Sequence, residues 1–388
     1  MDASPAAPLR GQKILITGVT GKVALPVATA LSADNEVWGA ARFGDASARQ
    51  ELESHGVHCV GVDMIDGTFD ECPRDIDYAL NFSVVKTKDW QRDLDGNAGG
   101  LGRLMFHAAD AKAVLHCSST AVYQPDDHRR FREDDGLGDN HRPLPGMHTY
   151  SISKIAAEAM ASFCAQHLQL PTTIARLNVP YGPRGFWPAH HVTAIVNGDP
   201  INVHANAPSE YNPIHLDDII ATIPGLLAAA AVPATIVNWG GDDTVSIEDW
   251  CTYLGELIGK PPVFRPTNDT IESYLARFGA PYEEIDDGTW LVRDDDGQVV
   301  VRHEAPVIVF RVKLMDAPEK GREALFQRLL ELNATEMITA AYGLEEGAVV
   351  AVASLQSENL DFNEFQGAID SLGPAVVAHK RALAARGA

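Results

Sequence analysis

The sequence predicts an α/β fold over residues 11–265, a doubly wound parallel sheet with a small substrate lobe, then an α+β domain with an antiparallel sheet over 268–388. Three observations predict this. Short β-prone runs alternate with helical stretches: KILIT (13–17), NEVWGAAR (35–42), HCVGVDM (58–64), YALNFSV (78–84), AVLHCSS (113–119) and TTIARLN (172–178). Such alternation builds a parallel sheet with helices on both faces. Beyond Asn268 the order becomes helix, three strands, helix, two strands, helix, and strands so closely spaced pair antiparallel. Charge is uneven too: residues 267–388 hold 21 Asp and Glu against 11 Lys and Arg, so −10 of the formal −22 lies in under a third of the chain.

At 388 residues, 45% hydrophobic and 22% charged, the chain has the composition of a soluble globular protein with ample core. Its negative charge argues against a nucleic-acid or anionic-membrane surface. Cys59, Cys72, Cys117, Cys164 and Cys251 are scattered without a CxxC spacing, so reduced thiols are expected rather than disulfides or a zinc site. No apolar run reaches about 18 residues, and MDASPAAPLR lacks the apolar core of a signal peptide. A cytoplasmic location is the expectation.

The first element is the apolar run 13–17, suited to a strand buried on both faces. Gly18, Gly21 and Ala24 follow in a Gly-x-x-Gly-x-x-Ala spacing. Gly18 allows a tight turn, Gly21 lets backbone approach a pyrophosphate, and Ala24 allows close helix–strand packing. Gly18, Thr20, Gly21, Lys22 and Val23 are therefore the candidate phosphate cradle, although such turns also occur as plain structure. Pro26 stands oddly deep for a helix beginning directly after the turn. The second strand ends at Ala41 and Arg42, about twenty residues past the turn, where an acidic residue would hold an NAD ribose. A small residue and a guanidinium suit a 2′-phosphate instead, so NADP is preferred over NAD. The competing reading of Arg42 is a solvated surface arginine.

TYSISKIAAEAMASF places Tyr150 and Lys154 one helical turn apart on a shared face. A tyrosine with a pKa of about 10 is a poor base, and an adjacent ammonium favours its phenolate. LHCSSTAVY puts Ser118 and Ser119 at the C-terminal end of a strand, where open α/β sheets bind ligands. Alone, Tyr-x-x-x-Lys means little, because a helix with a packed tyrosine and an exposed lysine is the commoner meaning of that spacing.

In this order, the glycine turn, strand-end serines and Tyr-x-x-x-Lys closely resemble the extended short-chain dehydrogenase/reductases, the NAD(P)-dependent epimerase/dehydratase group, over roughly residues 11–265. Asp63, with Met64 beside it, matches the acidic residue that contacts adenine, and Asn97 matches an asparagine after the fourth strand. ARLNVPYGPRG (175–185) and PIHLDDII (213–220) resemble two further family segments. The resemblance implies Tyr150 as general acid/base, Lys154 holding the nicotinamide ribose and lowering the tyrosine pKa, and Ser119 hydrogen-bonding the reacting oxygen. Ser118 is then a packed neighbour. Two departures matter. Val179 replaces an expected asparagine, which puts nucleotide-sugar contacts in doubt, and Thr120–Ala121 replaces the Asp-Glu pair of sugar dehydratases. In the lobe, mainly 180–265, His190 and His191 suggest structural or substrate-lining roles rather than a metal site. Phe186 and Trp187 could equally wall an apolar pocket or simply pack.

The tail segments FRVKLMDAPE, LLELNATEMITAAYGLEEG and ENLDFNEFQGAIDSLG resemble the type III secretion chaperone-like fold family, which implies a small dimerising module that binds protein segments. DDDG (294–297) reads as a hairpin turn with Gly297 at positive φ, not a calcium loop. The expectation is an NADP-preferring oxidoreductase moving a hydride between nicotinamide and a secondary alcohol or ketone on a small, sugar-like molecule. The rivals are an epimerase that retains its cofactor and a cofactor-binding scaffold. A homodimer is expected, with a protein partner for the tail and neither nucleic acid nor membrane.

Overall fold

Strand β1 (Lys13–Thr17) runs through the middle of a seven-stranded sheet, and four of its five residues are buried. This is a computed structural model, describing residues 6–384 apart from 125–128, 140, 142–146, 205–207, 268, 287, 295–296, 305, 338, 358–359 and 361. The remaining strands are β2 (Glu36–Ala41), β3 (His58–Gly61), β4 (Tyr78–Asn81), β5 (Ala113–Ser119), β6 (Thr172–Leu177) and β7 (Thr235–Trp239). Their order is β7-β6-β5-β4-β1-β2-β3, and every neighbouring pair is parallel. The chain winds outward from β1 to β3 and then returns to β4 on the other side of β1. That reversal leaves a crevice at the carboxyl ends of β1 and β4.

Alternating side chains give each strand two apolar faces. Ile14, Ile16, Leu80 and Leu115 pack with helix α1 (Ala24–Leu31). Leu15, Ala79 and Val114 face the other way, into a core shared with α2 (Gly100–His107) and α3 (Tyr150–Leu168). Because α1 begins only at Ala24, Pro26 is its third residue, where a missing N–H forfeits no intrahelical bond. The expected strands 58–64 and 78–84 are shorter: they end at Gly61 and Asn81, and their tails leave the sheet as loops. The helical run before β5 opens with a turn at Trp90–Leu94 and passes through a π-helical turn, Asp95–Gly99, into α2.

The lobe holds α4 (Trp187–Asn197) and α5 (Ile247–Ile258), the latter opened by a Ser246/Asp249 capping box. Its own small core joins Ile195, Ile201, Val203, Ile247 and Cys251.

The chain divides into two compact units, Met1–Pro266 and Thr267–Ala388. In the second, a six-stranded antiparallel sheet is formed by β8 (Tyr282–Asp286), β9 (Thr289–Asp294), β10 (Gly297–Glu304), β11 (Val307–Asp316), β12 (Ala341–Glu345) and β13 (Ala348–Gln356), ordered β8-β9-β10-β11-β13-β12. Helices α6 (Asp269–Phe278), α7 (Arg322–Thr335) and α8 (Phe362–Ala384) contribute to a core around Trp290, Phe310 and Phe365. Four strands, not three, precede α7. The added β8 is an edge strand with every side chain exposed, so it lacks the alternation that marks a half-buried strand. Asp294 pairs with Gly297 (φ 149°) across the hairpin, whereas Asp295 and Asp296 lie outside the described residues.

Candidate functional site

The glycine turn closes against the end of β4. Gly18 has φ 68°, and a Cβ there would stand 2.7 Å from the backbone N and Cα of Ser83, so only glycine fits. Its N–H donates to the Ala40 carbonyl at 2.9 Å, tying the turn to β2. Thr20, Gly21 and Lys22 are exposed and Val23 is half-buried. Helix α1 starts without a side-chain cap, so its positive end is not masked by its own sequence.

Arg42 is exposed immediately after β2 and has no ion pair among the described residues. Half-buried Asp63 accepts the Ile65 N–H at 2.9 Å. The Arg103 guanidinium donates to the Met64 and Ile65 carbonyls and fixes that loop, while the Met64 side chain is buried.

Beneath the turn, three central strands share a buried polar chain. The Thr17 hydroxyl donates to Asn81 Oδ1 at 2.5 Å, and Asn81 Nδ2 lies 2.9 Å from His116 Nδ1. Burial, and then the Lys154 charge, push the His116 pKa well below its ordinary value, so this imidazole is neutral. Ser83 Oγ and His116 Nε2 are buried without a hydrogen-bond partner among the described residues. An orphaned Ser83 hydroxyl, a Gly18 cradle that a Cβ would fill and an uncapped helix start fit a dinucleotide.

Ser119, Tyr150 and Lys154 come together at the carboxyl end of β5. Ser119 ends the strand, where its Oγ accepts the Ala121 N–H at 3.2 Å, and its side chain is near enough to the Tyr150 phenol to pull its pKa down. Tyr150 opens α3, and Lys154, 3% exposed, donates to the Cys117 carbonyl at 2.8 Å. That bond uses one of three ammonium donors, leaving two for a ligand such as a ribose diol.

The electrostatics correct one expectation. Burial raises the Tyr150 pKa, the Ser119 side chain lowers it, Cys117 raises it and Lys86 lowers it, with a net rise. That net direction is opposite to the lowered tyrosine pKa that the resemblance implies; Lys154 has its own pKa lowered by burial, against the opposing pull of Cys117 and Glu158. The cation beside the phenol is Lys86, whose Nζ lies 5.1 Å from the ring centroid. His141 sits on the same ring at 5.6 Å, its pKa pushed down to about 4 by burial and by Lys86.

Sequence reasoning missed Lys86, Asp93, His141 and the Thr17–Asn81–His116 chain. Asp93 had one available signal: it lies four residues before Asn97, hence on the same helix face. Asn97 grips the loop after β4 by accepting the Val85 N–H at 2.9 Å and donating to the Val85 carbonyl at 2.8 Å. Ser118 is packed as expected, donating to Glu158, which also takes a two-pronged contact from Arg176. In the lobe, Trp187, His191, Tyr211 and Trp250 form one ring cluster, and Trp250 Nε1 donates to His191 Nδ1 at 2.9 Å. Phe186 is buried and His190 is exposed. Among the described residues, no group of three or more His, Cys, Asp or Glu could hold a metal ion.

Comparison with known proteins identifies the surroundings of this site. The model of the NAD dependent epimerase/dehydratase family matches residues 14–240, more than half of the chain. The chain belongs to that family. A second family model, CesT_Tir_1, matches residues 265–386, where a chaperone-like domain follows. No curated protein matches the sequence. Among solved structures, a UDP-glucuronic acid 4-epimerase from Bacillus cereus, in complex with UDP-glucuronic acid and NAD, is 20% identical with a TM-score of 0.55, covering 65% of this chain and 85% of its own. A UDP-N-acetylglucosamine 4-epimerase from Methanobrevibacter ruminantium is 14% identical with a TM-score of 0.57, covering 66% and 86%. A dTDP-glucose 4,6-dehydratase from Bacillus anthracis with NAD is 20% identical with a TM-score of 0.55, covering 67% and 86%. At these identities the likeness is one of fold. No helix among the described residues is long and apolar enough to cross a membrane.

Proposed function

We propose that residues 11–265 are an NAD(P)-dependent oxidoreductase domain acting on a secondary alcohol or ketone, with NADP preferred and residues 268–388 forming an appended chaperone-like module. The observation that carries this reading is the convergence of Ser119, Tyr150 and Lys154 at the carboxyl end of β5. The bound nicotinamide supplies the hydride donor or acceptor. Gly18, Thr20, Gly21, Lys22 and Val23 cradle the pyrophosphate, Asp63 and Met64 border the adenine, and Arg42 answers a 2′-phosphate. Lys154 holds the nicotinamide ribose with its two open donors.

In the reducing direction Tyr150 Oη gives its proton to the substrate oxygen, while the Ser119 hydroxyl holds that oxygen in line. A raised pKa keeps Tyr150 protonated at neutral pH, which suits it as the acid. A second reading, epimerisation of a sugar by oxidation and re-reduction, is supported by the family match and by the named activities of the similar structures. Val179 in place of the expected asparagine weighs against a nucleotide-sugar substrate. Exposed Phe106 (52%) and Phe163 (59%), both packed on His167, support association of two copies across α2 and α3. The tail module binds a protein partner, and the protein works in the cytoplasm.

The test is a titration of cofactor-stripped protein with NADP⁺ and NAD⁺ beside Arg42→Ala. Tighter NADP⁺ binding that disappears with Arg42 supports the reading. Preference for NAD⁺, or indifference to Arg42, overturns the cofactor assignment and favours the epimerase. Tyr150→Phe should abolish turnover while sparing cofactor binding; unchanged turnover sinks the catalytic assignment.

A further inference from the structure

Lys86 and Tyr150 reach each other from separate elements, and one carboxylate joins the two. Asp93 is fully buried. Its Oδ1 accepts the Thr87 N–H at 2.6 Å and the Thr87 hydroxyl at 2.7 Å. Its Oδ2 accepts the Thr149 hydroxyl at 2.6 Å. Thr87 directly follows Lys86, and Thr149 directly precedes Tyr150. Asn97, one turn further along the same helical run, holds Val85, so the loop is pinned on both sides of Lys86.

The arrangement around Thr149 points the same way. Thr149 is the N-cap of α3, a position where threonine ordinarily turns its oxygen onto the helix's own N–H groups. Here it makes no such cap and donates to Asp93 instead. The local cap is given up for a tertiary tie.

We propose that Asp93 is a positioning residue: by fixing Thr87 and Thr149 together, it sets the Lys86 ammonium against the Tyr150 ring and so tunes how readily the phenol gives up its proton. The functional weight of this rests on reading Tyr150 as the acid/base; the geometry does not. The groups facing Tyr150 are Ser119 and Cys117 from β5, Lys86 from the loop after β4, and His141, with Lys154 one turn along α3. Asp93→Asn acts on this set in two opposed ways. Removing a negative charge favours the phenolate and lowers the Tyr150 pKa, whereas releasing Lys86 removes a cation and raises it. The sign separates a positioning role from a purely electrostatic one.

The experiment is a ¹⁹F NMR titration of the full chain with 3-fluorotyrosine at its nine tyrosines, the Tyr150 signal being identified by its loss in Tyr150→Phe. Positioning predicts a midpoint higher by about half a unit in Thr149→Val and in Lys86→Met, as expected for an exposed ammonium about 5 Å away, and a smaller rise in Asp93→Asn, where the lost carboxylate charge offsets part of it. Thr149→Ser keeps the hydroxyl and should titrate like the wild type. A midpoint that falls or stays put in Asp93→Asn overturns the proposal, as do equal shifts in Thr149→Ser and Thr149→Val. If Asp93→Asn does not fold, the two Thr149 variants decide alone. A Tyr150→Phe enzyme that still turns over would defeat the acid/base reading separately and leave the midpoint shifts standing.

Discussion

Glu158→Gln tests how much of the catalytic domain's stability passes through one buried ion pair. Glu158, on α3, accepts from Arg176 Nη2 at 2.7 Å and Nε at 3.0 Å and from the Ser118 hydroxyl at 2.5 Å. The arginine and glutamate side chains are only 2% and 6% exposed, so solvent screens little of their attraction. Burial alone would lower the Arg176 pKa, but the hydrogen bonds and charges of Glu158 and Tyr123 together outweigh it and the guanidinium stays charged. Losing one partner leaves that charge buried and uncompensated, a change that costs about 3–5 kcal/mol. Glutamine keeps one acceptor oxygen, so the lower end, about 3 kcal/mol, is expected. In a unit of this size that is a fall of about 6–12 °C in Tm. Calorimetry at pH 7 reads it directly, with the exposed pair Arg49–Glu53 as a control that should not move on Glu53→Gln. An apolar double substitution, Glu158→Leu with Arg176→Met, should recover much of the loss, because neither charge is then stranded. A fall below about 2 °C for Glu158→Gln would refute the reasoning and mean the pair is slack or hydrated.

Three further outcomes follow from the same coordinates. Gly18→Ala puts a methyl 2.7 Å from the Ser83 backbone at φ 68°. It should weaken NADPH binding at least about tenfold, as αL strain of about 1–2 kcal/mol and the clash combine; fluorescence titration giving wild-type affinity would show the turn is not the cradle. For Asp93, burial acts to raise the carboxyl pKa, but hydrogen bonds from Thr149 and Thr87 prevail and hold it below the ordinary value. Its stabilisation is therefore complete above the unfolded carboxyl pKa of about 4 and is lost as pH falls through the lower folded value. Thermal melts of Asp93→Asn should show a shallower loss of Tm below about pH 4 than the wild type. Phe163→Glu places a charge on a side chain 59% exposed, so if two copies associate across α2 and α3 as proposed, sedimentation should give dimers for the wild type and monomers for this variant, with Tm scarcely changed.

Sheet strands buried on both faces were legible because such strands read as continuous apolar runs, as Lys13–Thr17 does. The turn was legible because Gly18 sits where no Cβ fits, and chemistry of that kind leaves a residue-type signature. Ser119, Tyr150 and Lys154 could be proposed as a set because Tyr150 and Lys154 lie one helix turn apart and their order after a strand-end serine resembles a known family; no spacing rule links Ser119 to Tyr150. What escaped the sequence depends on partners far along the chain: Asp93 and Thr149 are separated by 56 positions, and Asn81 and His116 by 35. Spacing rules reach only one or two turns. Strand β8 escaped for the opposite reason, because its side chains are all exposed and no face is selected for apolar residues.

The Tyr150 pKa shows where local reasoning gives the wrong sign. From the sequence, the nearest cation is Lys154, and it should draw the phenol down. In the fold, Lys154 spends a donor on the Cys117 carbonyl, and burial of the phenol outweighs the one cation that lies over its ring. Desolvation is a property of the assembled site and has no fixed spacing. That is also why Lys86 matters more than its unremarkable sequence context suggests. A cation brought in by an irregular loop can tune an acid only while something holds the loop, and here that restraint comes from Asn97 and Asp93 on the helical run behind it.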